Sequence, residues 1–179
     1  MKSSVVEKIA LEHEAARVFM RLYQQQFGIK MRHIWHNEPA KPDVSCYLEQ
    51  QRLDLEIAHL YGSEAEAMKI LGRELKGGTL EALQSLEQWP VADRLLRALD
   101  KLIVNKAQKS YDSEKVWLVI RNAHPDWHAE ELEQTPELLQ IPAVHPFEQI
   151  WLVADMAGLA GLVPLYPVAA KAQVVVESN

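Results

Sequence analysis

The chain has a single cysteine, Cys46, among its 179 residues. One thiol excludes an internal disulfide and also excludes a zinc site built from several cysteines. We therefore expect a reducing, cytoplasmic environment. A glycine-rich loop that could cradle a phosphate is missing as well, because the glycine pair at positions 77 and 78 lacks the pattern that should follow it.

Long apolar runs are also missing. The longest ones, VWLVI and IWLVA, are far shorter than the roughly 20 residues that a helix needs to cross a bilayer. The acids Glu7 and Glu12 come too early in the first segment for a signal peptide. The sequence therefore predicts no membrane association.

Positive charge is in deficit, with 19 Lys and Arg against 25 Asp and Glu and a formal net charge of -6. Such a balance disfavours binding to nucleic acid through the phosphates, although a local basic patch is compatible with it. The remaining composition is that of an ordinary globular protein, with 48% apolar and 25% charged residues. This length and composition predict one domain over residues 1–179.

The periodicity of the apolar residues predicts a mixed α/β fold. Apolar residues recur at helical spacing in the first segment, whereas the segment IKMRHIWH alternates as a half-exposed strand does. The expected order is a helix over 3–27, strands over 29–36, 43–48 and 53–61, helices over 63–88 and 90–109, strands over 114–122 and 147–155, and an edge strand in the tail. Helices should cover the sheet formed by these strands.

The hairpin KPDVSCYLEQQRLDLEIAHLY, residues 41–61, carries acids where a strand should bury apolar side chains. Asp54 and Glu56 share one face of the second strand, and the apolar residues lie on the other face. A turn centred near residue 50 would place position 43 opposite roughly 57, one step from Glu56. We therefore expect Asp43 and Glu56 to lie close together.

Two neighbouring carboxylates require compensation. Mg²⁺ is an economical partner, because it binds one or two carboxylates and keeps its waters. The alternative is an exposed strand end at which both acids form salt bridges with Arg52 or Lys41. Asp54, on the same face as Glu56, is a further possible ligand.

Two helices offer more candidates. The apolar stripe of the helix over 90–109 continues at Lys106, and a lysine on a core-facing stripe needs an anion nearby; Lys109 follows on the same edge. The alternative is a solvated lysine at a helix C-terminus. On the first helix, Glu12 flanks the apolar stripe and should face the sheet, whereas Glu14 should point away.

Together, Pro42-Asp43, Glu56 in the following strand and the order helix, three-strand meander, helix, strand resemble the PD-(D/E)xK nuclease superfamily. The resemblance covers roughly residues 5–122. It implies a restriction-endonuclease-like fold and a metal-dependent nuclease acting on nucleic acid, with DNA as the expected substrate. A homodimer is a further expectation.

The resemblance also implies roles for individual residues. Asp43 and Glu56 would bind Mg²⁺ or Mn²⁺, with assistance from Glu12. The lysine that the family carries two positions after the strand acid is here Ala58. Either Lys106 has taken its place, or the site is inactive and the protein serves as a binding or regulatory subunit. The phosphate contacts expected near the hairpin are Arg32, His33, Lys41 and Arg52.

Overall fold

The computed structural model describes residues 2–37, 42–62, 84 and 90–167. The helical segment predicted over 63–88 therefore lies outside the described residues except at Gln84, and so does Lys41. Three α-helices and six strands make up the described part, together with one short 3₁₀ helix. Their bounds are α1 Lys2–Phe27, β1 Met31–His36, β2 Val44–Leu48, β3 Gln51–Leu60, α2 Val91–Ala107, β4 Val116–Asn122, α3 Ala129–Glu133, 3₁₀ Thr135–Glu137, β5 Gln149–Val153 and β6 Leu162–Tyr166.

The six strands form one mixed sheet in the order β1-β2-β3-β4-β5-β6. Strands β3, β4 and β5 run parallel to one another, and antiparallel neighbours flank them on both sides. The predicted mixed α/β class is thus confirmed, and β6 is the edge strand expected in the tail. In the described part of the chain, no helix is both long and apolar enough to span a bilayer.

Alternation along β3 and β4 sends side chains into two separate cores, one on each side of the sheet. Leu53, Leu55 and Ile57 point to the core beneath α1, where Phe19 and Tyr23 meet two strand tryptophans. Residues of the opposite parity, among them Leu118 and Ile120, pack against the stripe of α2. Because β4 is buried on both faces, it reads as a continuous apolar run in the sequence.

The β2–β3 turn is tighter than the sequence suggested. It contains two residues, Glu49 and Gln50, rather than four, and Glu49 takes a left-handed φ of 57°. Val44 pairs with Leu55, so the register carries position 43 opposite 56. The predicted opposition of 43 to 57 is therefore wrong by one residue. The correction matters because residues directly opposite in a sheet point to the same face.

Strand β3 is twice as long as its neighbour β2, with ten residues against five. Residues 51–55 of β3 pair with β2, whereas residues 54–60 pair with β4 on the other side. Beyond Leu55, β3 therefore has no β2 residue beside it. A gap opens next to the second half of β3, between α1 and the C-terminal end of α2.

Arg121 lies inside β4 with 1% of its surface exposed. Its guanidinium donates to Glu14 Oε1 at 3.0 Å and to the carbonyl oxygen of Met156. Arg121 thereby ties α1 to the loop after β5. Glu14, which the helical period predicts to point away from the sheet, thus contacts a side chain of β4, and the prediction is wrong for its carboxylate.

A buried polar bridge joins β2 to β3. The hydroxyl of Ser45 donates to Asp54 Oδ1 at 2.5 Å, and both residues are almost fully buried. Arg52 Nε donates to the same carboxylate oxygen at 3.0 Å. A charged group at such depth depends on these donors, since burial without partners is costly.

We expect Ser45→Ala to lower the free energy of unfolding by about 1–3 kcal/mol, because Asp54 would lose a buried donor. Urea denaturation followed by tryptophan fluorescence measures this change. Ser110→Ala, at an exposed position, is the matched control and should have little effect. Equal stability of the two variants would contradict the importance of the bridge.

Candidate functional site

The gap beside β3 is an open pocket of about 700 Å³. Glu12 of α1 lines one wall, Asp43 and Glu56 line the sheet side, and Lys109 and Tyr111 line the wall after α2. The structure thus brings together residues that are far apart in the sequence. These residues meet beside Val44, where β2 begins, and next to the part of β3 that has no β2 residue beside it.

Asp43 replaces a missing strand partner. Its Oδ2 accepts a hydrogen bond from the backbone N–H of Ile57 at 2.9 Å, where the next β2 residue would otherwise pair. The same carboxyl group is in hydrogen-bond contact with the side chain of Glu56. The expected proximity of Asp43 and Glu56 is therefore found, and their opposed register explains it.

Glu56 is buried, with 3% of its surface exposed, and basic groups surround it. Lys106 Nζ lies 3.3 Å from Glu56 Oε2, and Lys109 Nζ lies 3.5 Å from the same atom. The Tyr111 hydroxyl donates to this oxygen at 2.6 Å. The convergence of Lys106 with the acid pair, expected from the stripe of α2, is found. The sequence pattern did not predict the contact of Tyr111 with Glu56, because Tyr111 lies in the irregular segment after α2.

The two carboxyl groups hold different charges. Burial, followed by the hydrogen bond and the negative charge of Glu56, raises the pKa of Asp43 to about 7. Burial alone would also raise the pKa of Glu56, but its bonds to Asp43 and Tyr111 and the Lys106 charge outweigh burial and lower it. As the pH falls through about 7 the pair therefore takes up one proton, which resides mainly on Asp43.

The pKa values of the neighbouring donors, Lys106 and Tyr111, are shifted as well. Burial lowers the pKa of Lys106, and the attraction of Glu56 opposes this effect. Burial and the bond to Glu56 raise the pKa of Tyr111, so its hydroxyl stays protonated and donates. The site thus offers an ammonium group and a phenolic donor beside an ionised carboxylate.

Glu12 faces the sheet as predicted, and 6% of its surface is exposed. Its Oε2 lies 3.0 Å from His36 Nε2, and Lys8 Nζ lies 3.8 Å from Oε1. Glu12 therefore belongs to the pocket wall, with its carboxylate engaged by the end of β1. His36 is a neighbour that the sequence did not reveal, because the contact spans 24 residues.

The alternative in which Arg52 neutralises the predicted acid pair at an exposed strand end does not hold. Arg52 pairs with Asp54, and Glu56 is buried among lysines. Asp54, considered above as a further ligand, is instead engaged by Ser45 and Arg52. Within the described ranges, no group of three or more His, Cys, Asp or Glu side chains is close enough to hold a metal ion.

Comparison of this chain with protein-family models, with curated proteins and with solved structures gives no significant match.

Asp43→Asn should stabilise the metal-free protein at pH 8, because the amide can still accept from Ile57 and donate to Glu56 without adding charge. At pH 5 the advantage should be smaller, because folded Asp43, with its pKa of about 7, is then protonated and adds no charge to the site. Part of the advantage should remain, because Asp43 of the unfolded chain is still largely ionised at pH 5. Thermal unfolding in EDTA at the two pH values measures this. A variant less stable than the wild type at pH 8 would refute the shared proton.

Proposed function

We propose that this protein is a metal-dependent nuclease that hydrolyses phosphodiester bonds, with DNA as its substrate, on a restriction-endonuclease-like core. One observation carries the proposal: Asp43 and Glu56 line one open pocket, and the ammonium group of Lys106 from α2 contacts Glu56. This convergence is what a divergent member of the PD-(D/E)xK superfamily would require. Membership itself is part of the proposal.

The donor set suits a hard divalent cation. Burial, the hydrogen bond to Glu56 and the charge of Glu56 favour the protonated form of Asp43, and a cation can take the place of that proton. Mg²⁺ needs no more than one or two carboxylates, since waters complete its octahedron. Asp43 and Glu56 would be its ligands, as two carboxylates suffice without a third acidic group. Bound there, Mg²⁺ or Mn²⁺ would polarise the phosphate and lower the pKa of an attacking water.

The chain itself supplies the remaining chemistry. Lys106, only 20% exposed at its side chain, presents an ammonium group that can stabilise the charge developing on a phosphate oxygen. Tyr111 holds Glu56 in orientation through its 2.6 Å hydrogen bond. Glu12, held by His36, adds negative potential at the opposite wall, which favours cation binding.

A catalytically inactive subunit with the same fold is the second candidate, and it has its own support. Ala58 occupies the position at which the superfamily carries its lysine. Glu56 also has three donors, which can serve structure alone. Metal binding separates the two candidates, because a purely structural carboxylate would have no affinity for Mn²⁺.

Mn²⁺ should bind to the wild type with an affinity that falls as the pH drops below about 7, because the cation must displace the Asp43 proton. Calorimetric titrations at several pH values measure both the affinity and the proton released. Glu56→Gln should abolish binding, and Glu114→Gln, at an exposed position, should leave it intact. Absence of binding in the wild type would favour the inactive subunit.

With Mg²⁺ or Mn²⁺, the wild type should cleave DNA, and Asp43→Ala should not. Lys106→Met should reduce the cleavage rate by about 10²–10³, the usual loss when a charge-stabilising donor is removed. Lys101→Met, an exposed lysine of α2, is the matched control and should retain the rate. Gel assays with DNA and RNA substrates measure the rates. Cleavage that survives Asp43→Ala would place the activity elsewhere or in a contaminant.

A further inference from the structure

A groove of about 480 Å³ lies between α1 and β1. Arg17 and Arg21 of α1 and Arg32 and His33 of β1 line it, and no acidic side chain is among its lining residues in the described part of the chain. The three arginines are exposed, and Arg21 uses one donor on the carbonyl oxygen of Ala157. In a protein of net charge -6, this groove is a local basic surface, and phosphate groups are the ligands that such a surface attracts.

The edge strand β1 is bulged between Arg32 and Trp35, and His33 there takes a left-handed φ of 55°. The extra residue keeps Arg32, opposite Tyr47, on the same face as Trp35, opposite Ser45. A regular strand would send two side chains three positions apart to opposite faces. The bulge therefore gathers a basic and an aromatic side chain on one surface.

Three rings and a guanidinium adjoin one another on this surface, which we call the aromatic platform: His33, Trp35, Tyr47 and Arg52. The ring centroids of Trp35 and Tyr47 are 5.6 Å apart, those of His33 and Tyr47 are 6.2 Å apart, and Arg52 lies 5.6 Å from the Trp35 ring. Within the described part of the chain, neither Trp35 nor Tyr47 belongs to a core cluster, and Tyr47 is 36% exposed. The rings are thus held by one another and by Arg52.

The platform connects the basic groove to the candidate site. His33 lines the groove and contacts Tyr47, so the two surfaces meet at this residue. At the other end, Arg52 and Asn37 both bond to Ser45 Oγ, and Asn37 lines the pocket that holds Asp43 and Glu56. The buried Ser45 hydroxyl thus joins the platform to the pocket wall, and a chain that crosses the platform from the arginines would lead towards the acid pair.

We propose that the groove and the platform bind single-stranded DNA and deliver it to the pocket. Phosphates complement the arginines, and unpaired bases can stack on Trp35 and Tyr47, a mode that a paired helix does not offer because its bases already stack on each other. The inference deepens the proposed nuclease function by naming its substrate class. Its test does not depend on catalysis.

The test is fluorescence anisotropy in EDTA with a labelled oligonucleotide of about 20 nucleotides, long enough to fill a single-strand site. The wild type should bind this strand more tightly than the matched blunt duplex. Trp35→Leu and Tyr47→Leu should each weaken binding about tenfold, the usual effect of losing one stacked base, and Trp35→Phe should restore most of it. Tyr47→Leu alters an exposed ring, so it tests the platform even if Trp35→Leu fails to fold.

Salt dependence separates the roles of the two surfaces. Arg32→Gln should reduce the slope of log affinity against log salt by about 0.7, the value for one phosphate contact on a single strand. Trp35→Leu should lower the affinity and leave this slope unchanged, because stacking releases no counterion. Lys101→Gln, an exposed lysine on α2, is the control and should change neither quantity.

Four results would overturn the inference. The first is binding of the duplex as tight as that of the single strand, and the second is single-strand binding that both leucine variants leave unaffected. The third is platform-dependent binding of RNA but not DNA. The fourth is a change of oligomeric state in the leucine variants with their DNA affinity intact. The last result would make the platform a contact between copies. Failure of the wild type to cleave DNA in Mg²⁺ or Mn²⁺, with single-strand binding intact, would refute only the nuclease.

Discussion

The length difference between β2 and β3 is the constraint on which the site depends. Because β2 begins at Val44, no β2 residue lies beside the second half of β3, and Asp43 accepts a hydrogen bond from the backbone N–H of Ile57. The same geometry forces the carboxyl groups of Asp43 and Glu56 into contact. A strand end, which is a backbone feature, thereby creates an acid pair that a fully paired sheet would not accommodate.

Charge balance in the pocket follows from that contact. One proton on Asp43 and the ammonium groups of Lys106 and Lys109 offset the two carboxylates, since buried acids need compensation. The arrangement conflicts with maximal stability, and such conflicts concentrate at functional sites. The basic groove beside β1 shows that a protein of net negative charge can still present an arginine-lined surface.

Local patterns predicted much of the described fold, because they depend on near neighbours. The apolar stripe of α1, the alternation along β3 and the continuous apolar run of β4 each gave the correct element. The proximity of Asp43 and Glu56 was also predicted, from the hairpin, and that of Lys106 was predicted from the apolar stripe of its helix. The predicted β2–β3 register was wrong by one residue. The turn type depends on a left-handed φ at Glu49, and the sequence EQQR does not indicate this φ.

The sequence by itself determined which residues are apolar, where the helices and strands of the described part run, and which face of each carries acids or lysines. Only the tertiary structure decided the partners: Tyr111 on Glu56, His36 on Glu12, and Arg121 between α1 and the loop after β5. These contacts join residues 24 to 107 positions apart. Periodicity reports how a segment faces its core, whereas such contacts arise only when separate segments pack together.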